Sequence, residues 1–178
     1  MINYYAVEDA LRGHLQAAHV AANVYSVNRL LDAARLFERV QPSPGLEAVD
    51  TEPYGAIIIF FSGLDSVQAP ANQSEACERS FQEWHLFVTT RYHSDDIERY
   101  NARKINGHLV SKVIATLKGF DWLKKYNELN GDADSRGSSI LTRVTADKLL
   151  VAEERSIEDP TIVSTLLAYR ATLSSNWN

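Results

Sequence analysis

The chain has 178 residues, of which 45% are hydrophobic and 23% are charged, so its composition is typical of a soluble globular protein with one core. The net charge of −5 argues against a general nucleic-acid-binding protein, since such proteins are normally basic. The chain has one cysteine, Cys77, which excludes an intrachain disulfide. Its longest strongly apolar run, residues 56–61, is too short to cross a bilayer.

The first third of the chain predicts two helices with a short strand between them. Apolar residues recur at helical spacing over residues 6–19 and again over residues 29–40. The segment Asn23–Val27 between them has the composition of a short extended segment. Prolines and a glycine at residues 42–45 end the second helix.

The middle of the chain predicts two strands and a long helix. Residues 54–62 form a continuous apolar run, which is typical of a buried central strand. The polar stretch 63–79 contains Pro70 and predicts a loop or hairpin tip. In the strand predicted at residues 80–92, even-numbered positions are apolar and odd-numbered positions are mixed, so helices should cover one face of its sheet. The helix is predicted at residues 96–119.

The last third of the chain predicts strands and a second loop. Residues 127–139 are rich in Gly, Ser, Asp and Asn, which predicts a flexible loop like that at 63–79. Short strands are predicted at 140–145 and 148–154, and a long strand at 161–173. Together the elements predict a single α+β domain over residues 1–178, with a mostly antiparallel sheet and helices packed on one face.

The sequence carries no pattern that indicates a catalytic, cofactor or metal site. None of the five histidines has the spacing of a zinc motif. His14 falls on the apolar stripe of the first helix, where a partly buried structural role is expected. His93, Asp95 and Asp96 lie together at a strand-to-helix turn, and a solvated helix cap explains them better than a divalent metal site. We therefore expect no enzyme activity, no cofactor and no metal.

Side chains at the ends of elements are the candidates for a protein–protein interface. Aromatic residues and arginine are the usual anchors of such contacts. Two of the candidates, Trp122 and Tyr126, have the alternative of closing the core. The five candidates are Arg91, Tyr92, Trp122, Tyr126 and Trp177.

Four features of the chain resemble the tail terminator-like minor tail proteins of Mu-like prophages and related contractile-tailed phages. The resemblance covers most of the chain and consists of patterns of secondary structure and hydrophobicity. The polar insert at residues 120–139 and the prominent second helix depart from it. The four features are the first helix followed by Asn23–Val27, the apolar strand 54–60, the segment 84–91 that leads into a helix ending at 117–120, and a late strand pair ending at 168–173.

The resemblance implies a tail-terminator-like fold and a homohexameric ring that caps the head-proximal end of the tail tube. Such a ring stops tube polymerisation and forms the head–tail joining surface. The implied partners are further copies of the chain, the tail tube protein, a neck or head completion protein and the sheath. Genome DNA would pass through the ring without sequence-specific binding, and an acidic chain suits such a lumen. No membrane partner is expected.

The resemblance also implies where the protein is found, and it leaves two alternatives open. The expected location is the tail of the virion at its head-proximal end, after assembly in the host bacterial cytoplasm. The first alternative is a neck or head completion protein of a tailed phage. The second is a small enzyme or ligand-binding α+β domain, in which His85, His93 or the Asp95 and Asp96 pair would converge on a cleft.

Overall fold

A computed structural model of the protein describes residues 5–68, 77–92, 99–118, 120, 144–150 and 161–176. Five strands form one sheet in the order β1-β2-β3-β5-β4. The β1–β2 pair is parallel and the other three pairs are antiparallel, which confirms the α+β class and the mostly antiparallel sheet. The elements are α1 (Tyr5–Ala17), β1 (Asn23–Val27), α2 (Leu30–Phe37), a single 3₁₀ turn (Leu46–Ala48), β2 (Ala56–Gln68), β3 (Cys77–Arg91), α3 (Arg99–Leu117), β4 (Val144–Leu150) and β5 (Ile162–Asn176).

The alternation of apolar side chains along the strands determines which face each helix covers. On one face, α1 and α3 pack against the sheet around the fully buried Ile57 and Ile59. Ile58 points to the opposite face, where Ala33 of α2 packs against it and against Val27. The expectation of helices on one face therefore holds for α1 and α3, whereas α2, which connects the parallel strands β1 and β2, lies on the other face.

A buried asparagine fixes α3 on the sheet. The Asn106 side-chain amide donates hydrogen bonds to the carbonyl oxygen of Val88 at 2.9 Å and to that of Val163 at 3.1 Å. The Thr165 hydroxyl donates to the Asn106 side-chain oxygen. Asn106 is 2% exposed, so these bonds form in a low-dielectric interior where unmet polar groups are costly. The network sets the position of the helix relative to β3 and β5.

Gly55, the residue before β2, allows the start of this strand to pack closely against β3 and α3. Gly55 has a φ of +68°, in the left-handed region that L side chains avoid. A Cβ atom at this position would lie 2.7 Å from the Thr89 carbonyl oxygen and 2.8 Å from Leu109 Cδ2. The close approach of β2, β3 and α3 therefore requires a residue without a side chain.

Two boundary predictions are wrong. The predicted loop at 63–79 is strand at both ends, because β2 continues to Gln68 and β3 begins at Cys77. Pairing between these two strands provides hydrogen-bond partners for the backbone N–H and C=O groups there, and this does not depend on the polarity of the side chains. The break predicted between the short strands 140–145 and 148–154 is strand, because β4 runs without interruption from Val144 to Leu150 with an irregular register between Thr145 and Lys148; residues 140–143 and 151–154 lie outside the described residues. The loop predicted at 127–139 lies outside the described residues.

Candidate interaction surface

The three long strands of the sheet extend beyond their shorter neighbours. β1 pairs with β2 only along Ala56 to Phe60, and β4, which is described from Val144 onward, pairs with β5 as far as Ala171. Past these points β2, β3 and β5 continue as a three-stranded ribbon made of residues 63–68, 77–83 and 172–176. We call this part the ribbon, and the helix-covered remainder of the sheet the base. At about 3.3 Å per residue, the ribbon is roughly 20 Å long.

Both outer edges of the ribbon lack a partner among the described strands. Within the described part of the chain, residues 63–68 of β2 and residues 172–176 of β5 each pair with β3 on one side. The outward backbone N–H and C=O groups of such edges are the groups through which another strand is added to a sheet. Among the described strands, the outer edge of residues 63–68 is therefore suited to backbone pairing with another chain.

A β-bulge marks the boundary between base and ribbon. The register of β2 against β3 shifts between Phe61 and Gly63, which leaves Ser62 without an opposite residue. Bulges bend a strand and increase its twist. The bulge residue Ser62 lies two residues past the end of the β1–β2 pairing at Phe60, so the direction of the sheet changes at the point where the ribbon begins.

A row of aromatic rings closes the core beneath the bulge. The Phe61 and Trp84 ring centroids are 5.6 Å apart, and those of Trp84 and Tyr169 are 6.3 Å apart. Phe120 continues the row at 6.2 Å from Tyr169, and His14 stacks on Phe120 at 4.6 Å. Trp84 and Tyr169 are almost completely buried, so these rings pack the core at the end of the base from which the ribbon extends.

Polar side chains are buried next to this aromatic row. Burial raises the pKa of the Glu8 carboxyl, the Asp9 carboxylate adds to the rise, and the nearby Ser26 hydroxyl, Arg12 and Trp84 oppose it. Neither Ser26 Oγ nor Trp84 Nε1 has a hydrogen-bond partner of good geometry among the described residues. The base therefore holds a carboxyl group whose charged form is disfavoured.

The sheet face that carries α2 is only partly covered. Phe60 and Phe87 are half-buried there, and Phe37 of α2 meets the Phe87 ring edge-on at 6.0 Å. Leu30 and Leu31 at the start of α2 are 57% and 66% exposed. On the same face, His85 Nε2 lies 2.9 Å from Glu83 Oε1. This face thus combines apolar area with a polar pair, as protein–protein contacts commonly do.

Two of the five interface candidates, Arg91 and Tyr92, lie at the end of β3 remote from the ribbon. Arg91 Nη1 donates to the Glu38 carbonyl oxygen at 3.1 Å, and Arg91 Nε donates to Thr161 Oγ1 at 3.3 Å. The Tyr92 backbone N–H donates to the Thr161 carbonyl oxygen at 3.0 Å. Both side chains are half-buried, and Arg91 ties the segment after α2 to the sheet. The other candidates, Trp122, Tyr126 and Trp177, lie outside the described residues.

The histidine predictions have separate outcomes. His14 is confirmed as structural, because its Nε2 lies 3.1 Å from the Thr116 carbonyl oxygen and must donate to it. His85 has Glu83 as its neighbour, whereas His93, Asp95 and Asp96 fall outside the described residues. The sequence did not predict the ribbon. β2 and β3 pair with each other as far as Gln68 and Glu78, the residues close to the two ends of the segment 69–76.

Comparisons with known proteins leave the interpretation to the sequence and the fold. No protein family model matches the chain, and a search of curated proteins finds no significant relative. Within the described ranges, no three His, Cys, Asp or Glu side chains are grouped so that they could hold a metal ion. None of the helices that the structure describes is long and apolar enough to span a membrane.

Proposed function

We propose that this chain is a structural protein of a tailed bacteriophage, of the tail terminator type, which caps the head-proximal end of the tail tube as a ring. The observation that carries the proposal is the ribbon, which extends past a helix-packed base and whose β2 edge has no partner strand among the described residues. The likeness of the element pattern to tail terminator-like proteins supports the same conclusion. The function is one of assembly and needs no chemical step.

The two ends of the sheet differ in a way that suits a cap. At one end of the sheet, the ribbon offers backbone groups for pairing. At the other end, the end of β3 at Arg91 is hydrogen-bonded to the segments around Ser43 and Thr161. A ring of such chains has two unlike faces, because every copy points the same way about the ring axis. One face would bind the last tube subunits. The other face would not bind further tube subunits and would contact the neck proteins. The tube then ends at this ring for steric reasons.

The first experiment measures the native mass of the purified protein over a concentration series, alone and with the tail tube protein. We expect a discrete ring of about six subunits, and tubes that stop growing at a defined length in electron micrographs when the protein is added. A protein that stays monomeric with the tube protein and leaves tube length unchanged contradicts the proposal. Binding to a neck or head completion partner without any effect on tubes assigns the chain to the neck instead.

A further inference from the structure

The side of α2 that points away from the sheet carries an exposed apolar patch. Leu30 and Leu31 are the large hydrophobic side chains that are mostly exposed among the described residues, and they are neighbours in the chain. Ala34, one helical turn after them, is exposed as well. Residues 5–68 are described without a gap, so the chain on both sides of α2 is seen and leaves this patch exposed. Adjacent apolar side chains, unlike scattered single ones, are typical of a contact surface.

Two charged side chains flank the patch at opposite ends of α2. Arg29 precedes the helix and forms no side-chain hydrogen bond to it, and Glu38 follows the last helical residue. Both are exposed, and neither forms an ion pair with another described residue. The charges between them, Asp32 and Arg35, lie 3.9 Å from each other. The outer side of α2 therefore has a cationic end, an apolar middle and an anionic end.

The charges at the two ends are the reverse of those that a helix favours. The N-terminus of a helix attracts negative charge and the C-terminus attracts positive charge, because the backbone dipoles are aligned. Arg29 places a cation at the N-terminus of α2, and Glu38 places an anion at its C-terminus. A partner that fits this surface should therefore be anionic where α2 begins and cationic where α2 ends.

A second α2 in antiparallel orientation has this charge pattern. When Leu31 of each copy lies against Ala34 of the other, a large side chain packs on a small one and two-fold symmetry repeats the contact. With a rise of about 1.5 Å per residue, Arg29 then lies only about 3 Å along the axis from the level of Glu38 in the other copy. That offset is within the reach of the two side chains. Each end of the helix thus gains the opposite charge that it lacks in the single chain.

We infer that two copies of the chain associate through the patch on α2 as an antiparallel, two-fold pair, with Leu31 on Ala34 at the centre and Arg29 beside Glu38 at each end. The contact goes beyond the proposed function, because a two-fold contact joins chains or rings in pairs and does not itself build a ring. α2 has eight residues and spans about 12 Å, so the contact is smaller than a standard interface of about 800 Å² per partner. Pairing is therefore expected at high protein concentration.

Charge reversal tests the contact. The mass of the wild type is measured by sedimentation velocity up to a protein concentration of about 1 mM, and we expect it to double as the concentration rises. Arg29→Glu and Glu38→Arg should each raise the dissociation constant of the pair about tenfold, because either change places like charges side by side. The double variant Arg29→Glu with Glu38→Arg restores opposite charges, so its dissociation constant should be within about threefold of the wild-type value.

Two further variants complete the test. Leu31→Gln should weaken pairing by more than about tenfold, since each copy loses buried apolar area. Lys118→Glu, an exposed charge reversal directly after α3, is the matched control and should leave the dissociation constant unchanged, because α3 lies on the other face of the sheet. All four positions are exposed, so each variant should keep the circular dichroism melting curve of the wild type.

Three results would overturn the inference. They are a wild-type mass that does not double, single charge variants that pair like the wild type, and a double variant that pairs as weakly as the single ones. A wild type that does not pair, but binds the tail tube protein and loses this binding on Leu31→Gln, also overturns it and assigns the patch to that protein.

The outcome is distinguishable from that of the proposed function. Tube lengths are measured with the wild type and with Arg29→Glu after mixing with the tail tube protein. Pairing of the wild type without any effect on tubes upholds the α2 contact and contradicts the tail terminator role. Capped tubes from a wild type that does not pair uphold the role and overturn the α2 contact.

Discussion

The base and the ribbon are built from the same three strands, but the described helices α1 and α3 pack against the base. In the base, apolar side chains of β2, β3 and β5 are packed under α1 and α3, and Asn106 adds a buried polar network. In the ribbon, the described interactions are the backbone pairs between the strands. Side-chain packing tolerates few changes, whereas backbone pairing tolerates many sequences. The base should therefore determine whether the chain folds, and the ribbon should determine what the proposed ring binds.

The largest expected effect is from Gly55→Ala in the base. The added Cβ atom meets a backbone carbonyl oxygen at 2.7 Å, and the positive φ disfavours any L side chain. We expect the free energy of unfolding to fall by about 2–4 kcal/mol, measured by chemical denaturation. Gly13→Ala is the matched control, because a Cβ atom there has open space within α1 and should raise stability by about 0.5–1 kcal/mol. Equal effects of the two substitutions on the free energy of unfolding would contradict the conclusion that position 55 requires glycine.

The next effect is from Asn106→Ala, which removes the network that holds α3 on the sheet. The substitution leaves the Val88 and Val163 carbonyl oxygens and the Thr165 hydroxyl without their partner. We expect a loss of about 2–3 kcal/mol, because buried polar groups left unpaired keep their desolvation cost. Ser111→Ala on the exposed side of the same helix should change stability by less than about 0.5 kcal/mol. A neutral Asn106→Ala would show that the network is dispensable.

Glu8→Gln tests the buried carboxyl through pH. The pKa of Glu8 is raised in the folded protein, so the folded state holds its proton to a higher pH than the unfolded state does. Stability from this group is fully present below the unfolded pKa of about 4.5 and is lost as pH rises through the folded pKa. We expect the two proteins to be equally stable at low pH and the Gln variant to be more stable at neutral pH.

The measurement for Glu8 is the difference in unfolding free energy between wild type and variant at a series of pH values. The difference cancels the titration of the other acidic groups. Ser111→Ala, which removes an exposed hydroxyl of α3 that does not titrate, should give a difference that does not vary with pH. A Glu8→Gln difference that does not vary with pH would mean that the carboxyl titrates alike in both states.

The smallest effect on stability is expected from shortening the ribbon. Leu64 and Gln82 are paired across β2 and β3, so residues 65–81 are replaced by an Asn-Gly turn that joins them as a two-residue hairpin. We expect the stability of the base to change by less than about 1 kcal/mol and ring formation to be lost. Circular dichroism melting and native mass spectrometry measure the two quantities. A shortened chain that still forms rings would place the contact in the base.

Much of the fold follows from local patterns in the sequence. The 3.6-residue period predicted the helices, the two-residue period of β3 predicted its buried even face, and Asn23–Val27 was predicted with the bounds that β1 has. The aromatic and arginine rule for interface anchors selected Arg91 and Tyr92, and the Arg91 side chain and the Tyr92 backbone N–H form hydrogen bonds within the chain, while their role in an interface stays a prediction. Local composition cannot separate an anchor to a partner from a tie within the fold.

Tertiary structure alone decided the features that give the molecule its two regions. Residues 63–68 read as a loop because they are polar, and only their pairing with β3 makes them strand. Glu8 and Asn106 occupy ordinary polar positions of helices, and only the docking of α1 and α3 on the sheet buries them. Periodicity is a property of neighbours along the chain. Pairing and burial depend on residues far apart in sequence, so the sequence by itself determined the elements of this protein and the tertiary structure decided the extent of the ribbon.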